Sequence, residues 1–167
     1  MVNETDFQRA RREPDFREKF IDRISLGDAE KYTMWNYINK DFSVSEFGIK
    51  GWPVMATLDA KEISGPFKPS NIQLVLCVFP KAFDYSCENL NDFLSTFLDH
   101  ELNHIKRRYI NGFPKDKISL CQDEIETYES QIKKNRFKRC SRQYKEGVYF
   151  NYLHYLDEYS KMKSKTD

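Results

Sequence analysis

A chain of 167 residues with 40% hydrophobic and 15% aromatic content can bury a real core as one domain, which excludes a disordered chain. Its 27 basic and 26 acidic residues leave a formal charge of +1, so charge argues for neither wholesale nucleic-acid binding nor attachment to a membrane surface. No segment approaches 18 apolar residues, the N-terminal run MVNETDFQRARREPDFREKF has no signal-type apolar core, and Cys77, Cys87, Cys121 and Cys140 fall in no paired spacing. These features predict a reducing, cytoplasmic setting.

Residues 4–24 carry Phe7, Phe16, Phe20, Ile21 and Ile24 among alternating charges, with Pro14 suited to the first turn of a helix. A second short helix is predicted from Asp28 to Lys40, capped by Asp28 and burying Tyr32, Trp35 and Ile38 on one face. Residues 1–40 are thus expected to form a helical layer that backs a sheet. The alternative is a regulatory segment that blocks a site until it is removed.

Between Phe42 and Phe83 the period shortens. Val54, Ala56 and Leu58 alternate with Met55, Thr57 and Asp59 as in a half-exposed strand, whereas Gln73–Phe79 is a nearly continuous apolar strand, too apolar to be an exposed edge. Gly65, Pro66 and Pro69 read as the loop between them.

Helical spacing returns with Leu90, Phe93, Leu94, Phe97, Leu98, Leu102 and Ile105. This helix carries His100, Glu101 and His104, the pattern H-E-x-x-H, which places both imidazoles on one face a turn apart. Two such nitrogens can hold one Zn²⁺ at about 2.0–2.1 Å, and a catalytic site adds a third protein ligand and a water. Zinc lowers the pKa of that water to roughly 7, so the neighbouring Glu101 can take its proton and pass it to a leaving amine. On the helical wheel Glu101 falls among the apolar residues, where a carboxylate has to be paired or lie near a metal.

Gly112 and Pro114 end this helix, and a second begins near Ile118 with Ile118, Cys121, Ile125, Tyr128 and Ile132 as one apolar stripe. Three glutamates on it are candidates for the third ligand: Glu124 and Glu129 at the two borders of the stripe, and Glu126 farther out. Lys133, Lys134, Arg136, Lys138, Arg139, Arg142 and Lys145 follow. Together with Lys106, Arg107 and Arg108 they could form a basic patch, and a non-catalytic zinc-binding or nucleic-acid-binding module is the alternative function. A last helix, near Arg142 to Lys163, carries Tyr144, Val148, Tyr152, Tyr155 and Tyr159 at core spacing, with His154 beside them.

HELNH followed 20 residues later by Glu124-Ile125-Glu126-Thr127 resembles the gluzincin branch of the zincin metallopeptidases, over about 35 residues from Phe97 to Gln131. The second motif is comparable with those of thermolysin, the ImmA/IrrE-like peptidases and the mitochondrial Atp23 peptidase. The resemblance implies a single α+β zincin-like domain over residues 1–167, in which a small, twisted, mostly antiparallel sheet packs on the HExxH helix beside a ligand helix and a C-terminal helix. It implies Zn²⁺ on His100, His104 and Glu124, with Glu126 as second choice, and Glu101 as general base. Thr127 would be the small residue that lets the helices approach, and a polypeptide substrate would pair with the sheet edge. His154 is a candidate donor to the developing oxyanion, with Tyr109, Tyr128 and the last helix's tyrosines as alternatives. Tyr128 stands where thermolysin has an aspartate, which leaves His100 without an assigned supporting partner.

Overall fold

The computed structural model describes residues 1–40, 43–47, 49–51 (backbone only), 53–60 and 74–166. The expected loop residues Gly65, Pro66 and Pro69 lie outside them. Helix α1 (Glu4–Arg12) starts at a capping box in which the Asn3 side chain accepts from Asp6 N and the Asp6 carboxylate accepts from Asn3 N. Pro14 opens a 3₁₀ turn, Pro14–Phe16, that runs directly into α2 (Arg17–Ile21). Phe7 and Phe20 are fully buried and meet Phe83 and Phe93 with ring centroids 5.2–6.2 Å apart. Arg17 holds this layer in place: its guanidinium donates to Ala10 O and Tyr37 Oη and pairs with Asp84 at 2.7 Å.

The helix expected from Asp28 to Lys40 is instead a short 3₁₀ turn, Gly27–Lys31, followed by strand β1 (Thr33–Tyr37). The aromatic and β-branched residues Thr33, Trp35 and Tyr37 suit a pleated surface, and a fully buried partner strand outweighs the local helical spacing. After β2 (Val44–Glu46) and β3 (Ile49–Gly51), which form a separate antiparallel hairpin, come β4 (Met55–Asp59) and β5 (Leu74–Val78). The main sheet has the order β1-β5-β4. Strand β5 is buried along its whole length at the centre, as its sequence requires, parallel to β1 and antiparallel to β4. The sheet is therefore mixed, where a mostly antiparallel one was expected. Met55, Leu76 and Val78 face the phenylalanine core, while Leu58, Val75, Cys77 and Phe79 form a smaller cluster on the other face.

After α3 (Lys81–Asp84), one long helical run crosses the molecule: α4 (Leu90–Leu94), a π-helical segment (Ser95–Glu101) and α5 (Leu102–Asn111). Gly112 ends it at φ 78°, a conformation glycine adopts without a Cβ penalty. The chain returns in α6 (Lys117–Lys133), capped by Asp116 and Ser119, then α7 (Asn135–Lys138) and α8 (Arg142–Lys163). Helix α8 runs back along α6, with Tyr152 donating to Glu129 near one end and Lys117 pairing with Glu158 at 2.7 Å near the other. The stripe Ile118–Ile132 is accordingly only partly buried, with Cys121 its one buried member. Part of it meets α8, where the Tyr128 ring stacks on Tyr155 and Tyr128 and Ile132 pack on the cluster around Val148. Among the described residues no helix is long and apolar enough to cross a membrane. All four cysteines are free and buried.

Candidate metal centre

His100 and Glu101 sit in the last turn of the π segment, and His104 in the first turn of α5. Such a wide turn inside an α-helix is a feature concentrated at functional sites. All three side chains are buried, and across from them α6 presents Asp123, Glu124, Thr127 and Gln131. Three donor atoms converge: His100 Nε2 and His104 Nε2 are 3.2 Å apart, and Glu124 Oε2 lies 3.5 Å from the first and 3.3 Å from the second. Ligands at 2.0–2.1 Å from a tetrahedral zinc would stand about 3.3–3.4 Å from one another. Two imidazole nitrogens and one carboxylate oxygen in such a triangle fit that ion in both chemistry and size.

The far side of each imidazole is also engaged. His104 Nδ1 donates to Asp123 Oδ2 at 2.7 Å, and Asp123 is held in turn by Arg107 and Arg108. His100 Nδ1 lies 3.0 Å from Gln131 Oε1. Gln131 thus occupies the supporting position that the sequence left unassigned. Burial alone would lower the His104 pKa, but the Glu124 charge and the hydrogen bond to Asp123 outweigh it and carry it up to about 9. Burial pushes the Glu124 and Asp123 carboxyls the opposite way, and contact with His104 holds both below the usual range, well below in the case of Glu124. The two carboxylates are thus held ionised, and in the metal-free site the proton on His104 supplies the balancing positive charge.

Glu101 is buried, and its Oε2 accepts a hydrogen bond of 2.9 Å from Thr57 Oγ1 on β4. Among the described residues Oε1 accepts none. Glu101, His104 and Glu124 line a cleft of about 560 Å³ floored by β4 and walled by Glu46 of β2 and by Phe150, His154 and Tyr155 of α8. Phe79 N donates to Val54 O at 3.2 Å, so Val54 and Phe79 form a hydrogen-bonded pair. Alternation along the antiparallel ladder then turns the backbone groups of Met55 and Thr57 away from β5. Arg108 Nη1 reaches Thr57 O at 3.2 Å, which agrees with that polarity.

The other sequence candidates are spread around this centre. Glu126 pairs with Arg107 at 2.8 Å with two thirds of its side chain exposed, and Glu129 accepts from Tyr152, so neither belongs to the donor triangle. His154 is exposed on the cleft wall, outside the cluster. Tyr109 stacks on Tyr32, with centroids 3.8 Å apart, and does not line the cleft. Tyr128 packs its ring 4.5 Å from that of His100, and burial with the nearby Glu124 charge pushes its hydroxyl pKa well up. Thr127 is fully buried between the helices. Of the basic residues, Arg107 and Arg108 turn to Asp123, and Arg136 pairs with Asp99 at 2.8 Å. The helices of residues 4–31 pack on the face of the sheet that carries Met55, Leu76 and Val78, residues 33–37 form its strand β1, and none of residues 1–40 lines the cleft.

Thr57, Arg108, Asp123 and Gln131 were not singled out as site residues in the sequence. One signal was present: Asp123, Thr127 and Gln131 recur every four residues, a polar row on α6 beside the apolar stripe. Compared with protein-family models, curated proteins and solved structures, the chain matches none.

Proposed function

We propose that the chain is a zinc-dependent metallopeptidase with a compact zincin-like site of gluzincin type. The observation that carries this reading is the near-equal spacing of three donor atoms of suitable chemistry, with a buried carboxylate in the adjoining cleft. His100, His104 and Glu124 would hold the ion. Once bound, zinc supplies a Lewis acid that lowers the pKa of a water to roughly 7 and polarises the scissile carbonyl.

Glu101 is the general base. Thr57 holds its Oε2, leaving Oε1 to take a proton from the attacking water and return it to the leaving amine. An extended polypeptide pairs with the outward N–H and C=O of Met55 and the N–H of Thr57, adding a strand beside β4. His154, Tyr128 and Tyr155 line the cleft as donors for the oxyanion that develops.

Metal content by mass spectrometry on the wild type and on His100→Ala tests the centre: the wild type should carry about one zinc and the variant little. Equal metal in both rejects the reading. Glu101→Gln should keep its zinc while cleavage of a denatured protein falls about 10²–10⁴-fold. Wild-type turnover in that variant would remove Glu101 from the mechanism.

A further inference from the structure

The hydrogen bonds behind His100 have a direction that can be worked out from their far end. Thr96 Oγ1 donates to the Asp92 carbonyl at 3.3 Å, which uses its one hydrogen. Tyr144 Oη lies 2.6 Å from Thr96 Oγ1, so Tyr144 is the donor of that pair. Tyr144 Oη then has lone pairs for Gln131 Nε2 at 2.8 Å. The same Nε2 also faces Ser95 Oγ at 3.0 Å and the Ser95 carbonyl at 3.4 Å. A carbonyl only accepts, so the amide can stand only one way round, with Oε1 toward His100. Oε1 only accepts as well, so the hydrogen lies on His100 Nδ1, and in the neutral imidazole the lone pair is then on Nε2, the atom in the donor triangle.

We infer that Gln131 is a positioning residue for the metal centre, and that the donor chain from His100 through Gln131, Tyr144 and Thr96 to the Asp92 carbonyl fixes His100 in the tautomer a metal requires. The inference rests on the metal-centre reading above for its purpose, though not for its geometry. Gln131 is 1% exposed, so its amide has no water with which to exchange these partners. The two histidines are supported unequally: His104 by a carboxylate held between two arginines, His100 by a neutral amide. A carboxylate at position 131 would still accept from His100, but it could not donate to Tyr144 and would face the Ser95 carbonyl with a negative charge. Glutamate is therefore a poor substitute here, although a carboxylate serves His104.

The experiment reads the ring nitrogens of His100 by ¹⁵N NMR in the metal-free protein, and zinc affinity by competition with a chromophoric chelator. In the wild type Nδ1 should be the protonated nitrogen. Gln131→Met, of similar volume, should mix the tautomers and weaken zinc binding about 10–100-fold, the usual effect of removing such a partner. Gln131→Glu should fail to restore the affinity. Should Gln131→Met not fold, Tyr144→Phe supplies the test: it removes only the middle link and should give a smaller shift of the same sign. A His100 tautomer and zinc affinity unchanged in both variants, or a Gln131→Glu protein as tight as the wild type, overturns the inference. If the wild type binds no zinc but shows the Nδ1–H tautomer, the metallopeptidase reading fails while the donor chain stands.

Discussion

The long helical run from Leu90 to Asn111 buries two unlike surfaces, and their contrast explains the molecule. Its N-terminal half feeds Phe93 and Phe97 into a core of rings shared with Phe7, Phe20 and Phe83. Farther along, it turns His100, His104 and Arg108 toward α6, where Gln131, Glu124 and Asp123 meet them, and Glu101 toward Thr57 of β4. The first region gains free energy from removing apolar area from water, at about 25 cal/mol per Å². The second holds its ionisable groups out of water, where desolvation offsets much of the attraction between them. Leu102 and Ile105 continue the apolar core along the second half, so the contrast lies between two faces there, one apolar and one gathering the candidate metal ligands.

Predictions that separate the two regions run from large effects to small. Phe93 is fully buried, so Phe93→Ala should cost about 3–5 kcal/mol in urea denaturation, equally with and without a chelator. A chelator-dependent loss would show that the two regions are coupled. On the polar side, zinc at 100 times its dissociation constant should stabilise the wild type by about 2.7 kcal/mol and leave His104→Ala almost unmoved, as read by thermal denaturation.

The metal-free protein should lose stability as pH rises from 6.5 to about 9. Over that window folded His104 keeps a proton that the unfolded chain has already released, and below it the contribution is complete. The loss should be on the order of 3 kcal/mol by denaturation at the two pH values. Glu124 and Asp123, both held low, contribute above the ordinary carboxylate range, and that part disappears as pH falls through their folded values. Zinc must displace the His104 proton, so its apparent affinity should rise with pH up to about 9, by as much as about tenfold per unit.

The smallest effect expected is from Thr57→Val. It removes the hydrogen bond to Glu101 at nearly constant volume and should cost about 1 kcal/mol of stability, with a fall in kcat larger than any change in KM. An unchanged kcat would mean that Thr57 does not position the base.

Legibility in the sequence followed the same division. Features with a short period could be read from order alone: the buried central strand Leu74–Val78, the helix end at Gly112, and the i, i+4 pair His100 and His104 beside a buried Glu101. The misread segment, Asp28 to Lys40, has helical spacing but gains more as a strand beside β5. The mixed sheet depends on that same pairing. Likewise, Arg107 and Arg108, which the sequence adds to a basic patch with residues 133–145, pair with Asp123, a partner within reach only after α6 folds back.

The order of residues by itself determined which groups share a helical turn, which strand has to be interior, and that a carboxylate sits among apolar neighbours beside two imidazoles. Tertiary structure alone decided which of three glutamates meets those imidazoles, that Gln131 and Asp123 stand behind them, and that Thr57 reaches Glu101 from the sheet. The physical reason is range. Helical and strand periodicity acts over a few residues, whereas Thr57 and Glu101 are 44 positions apart and His100 and Gln131 are 31, distances bridged only when separate elements pack.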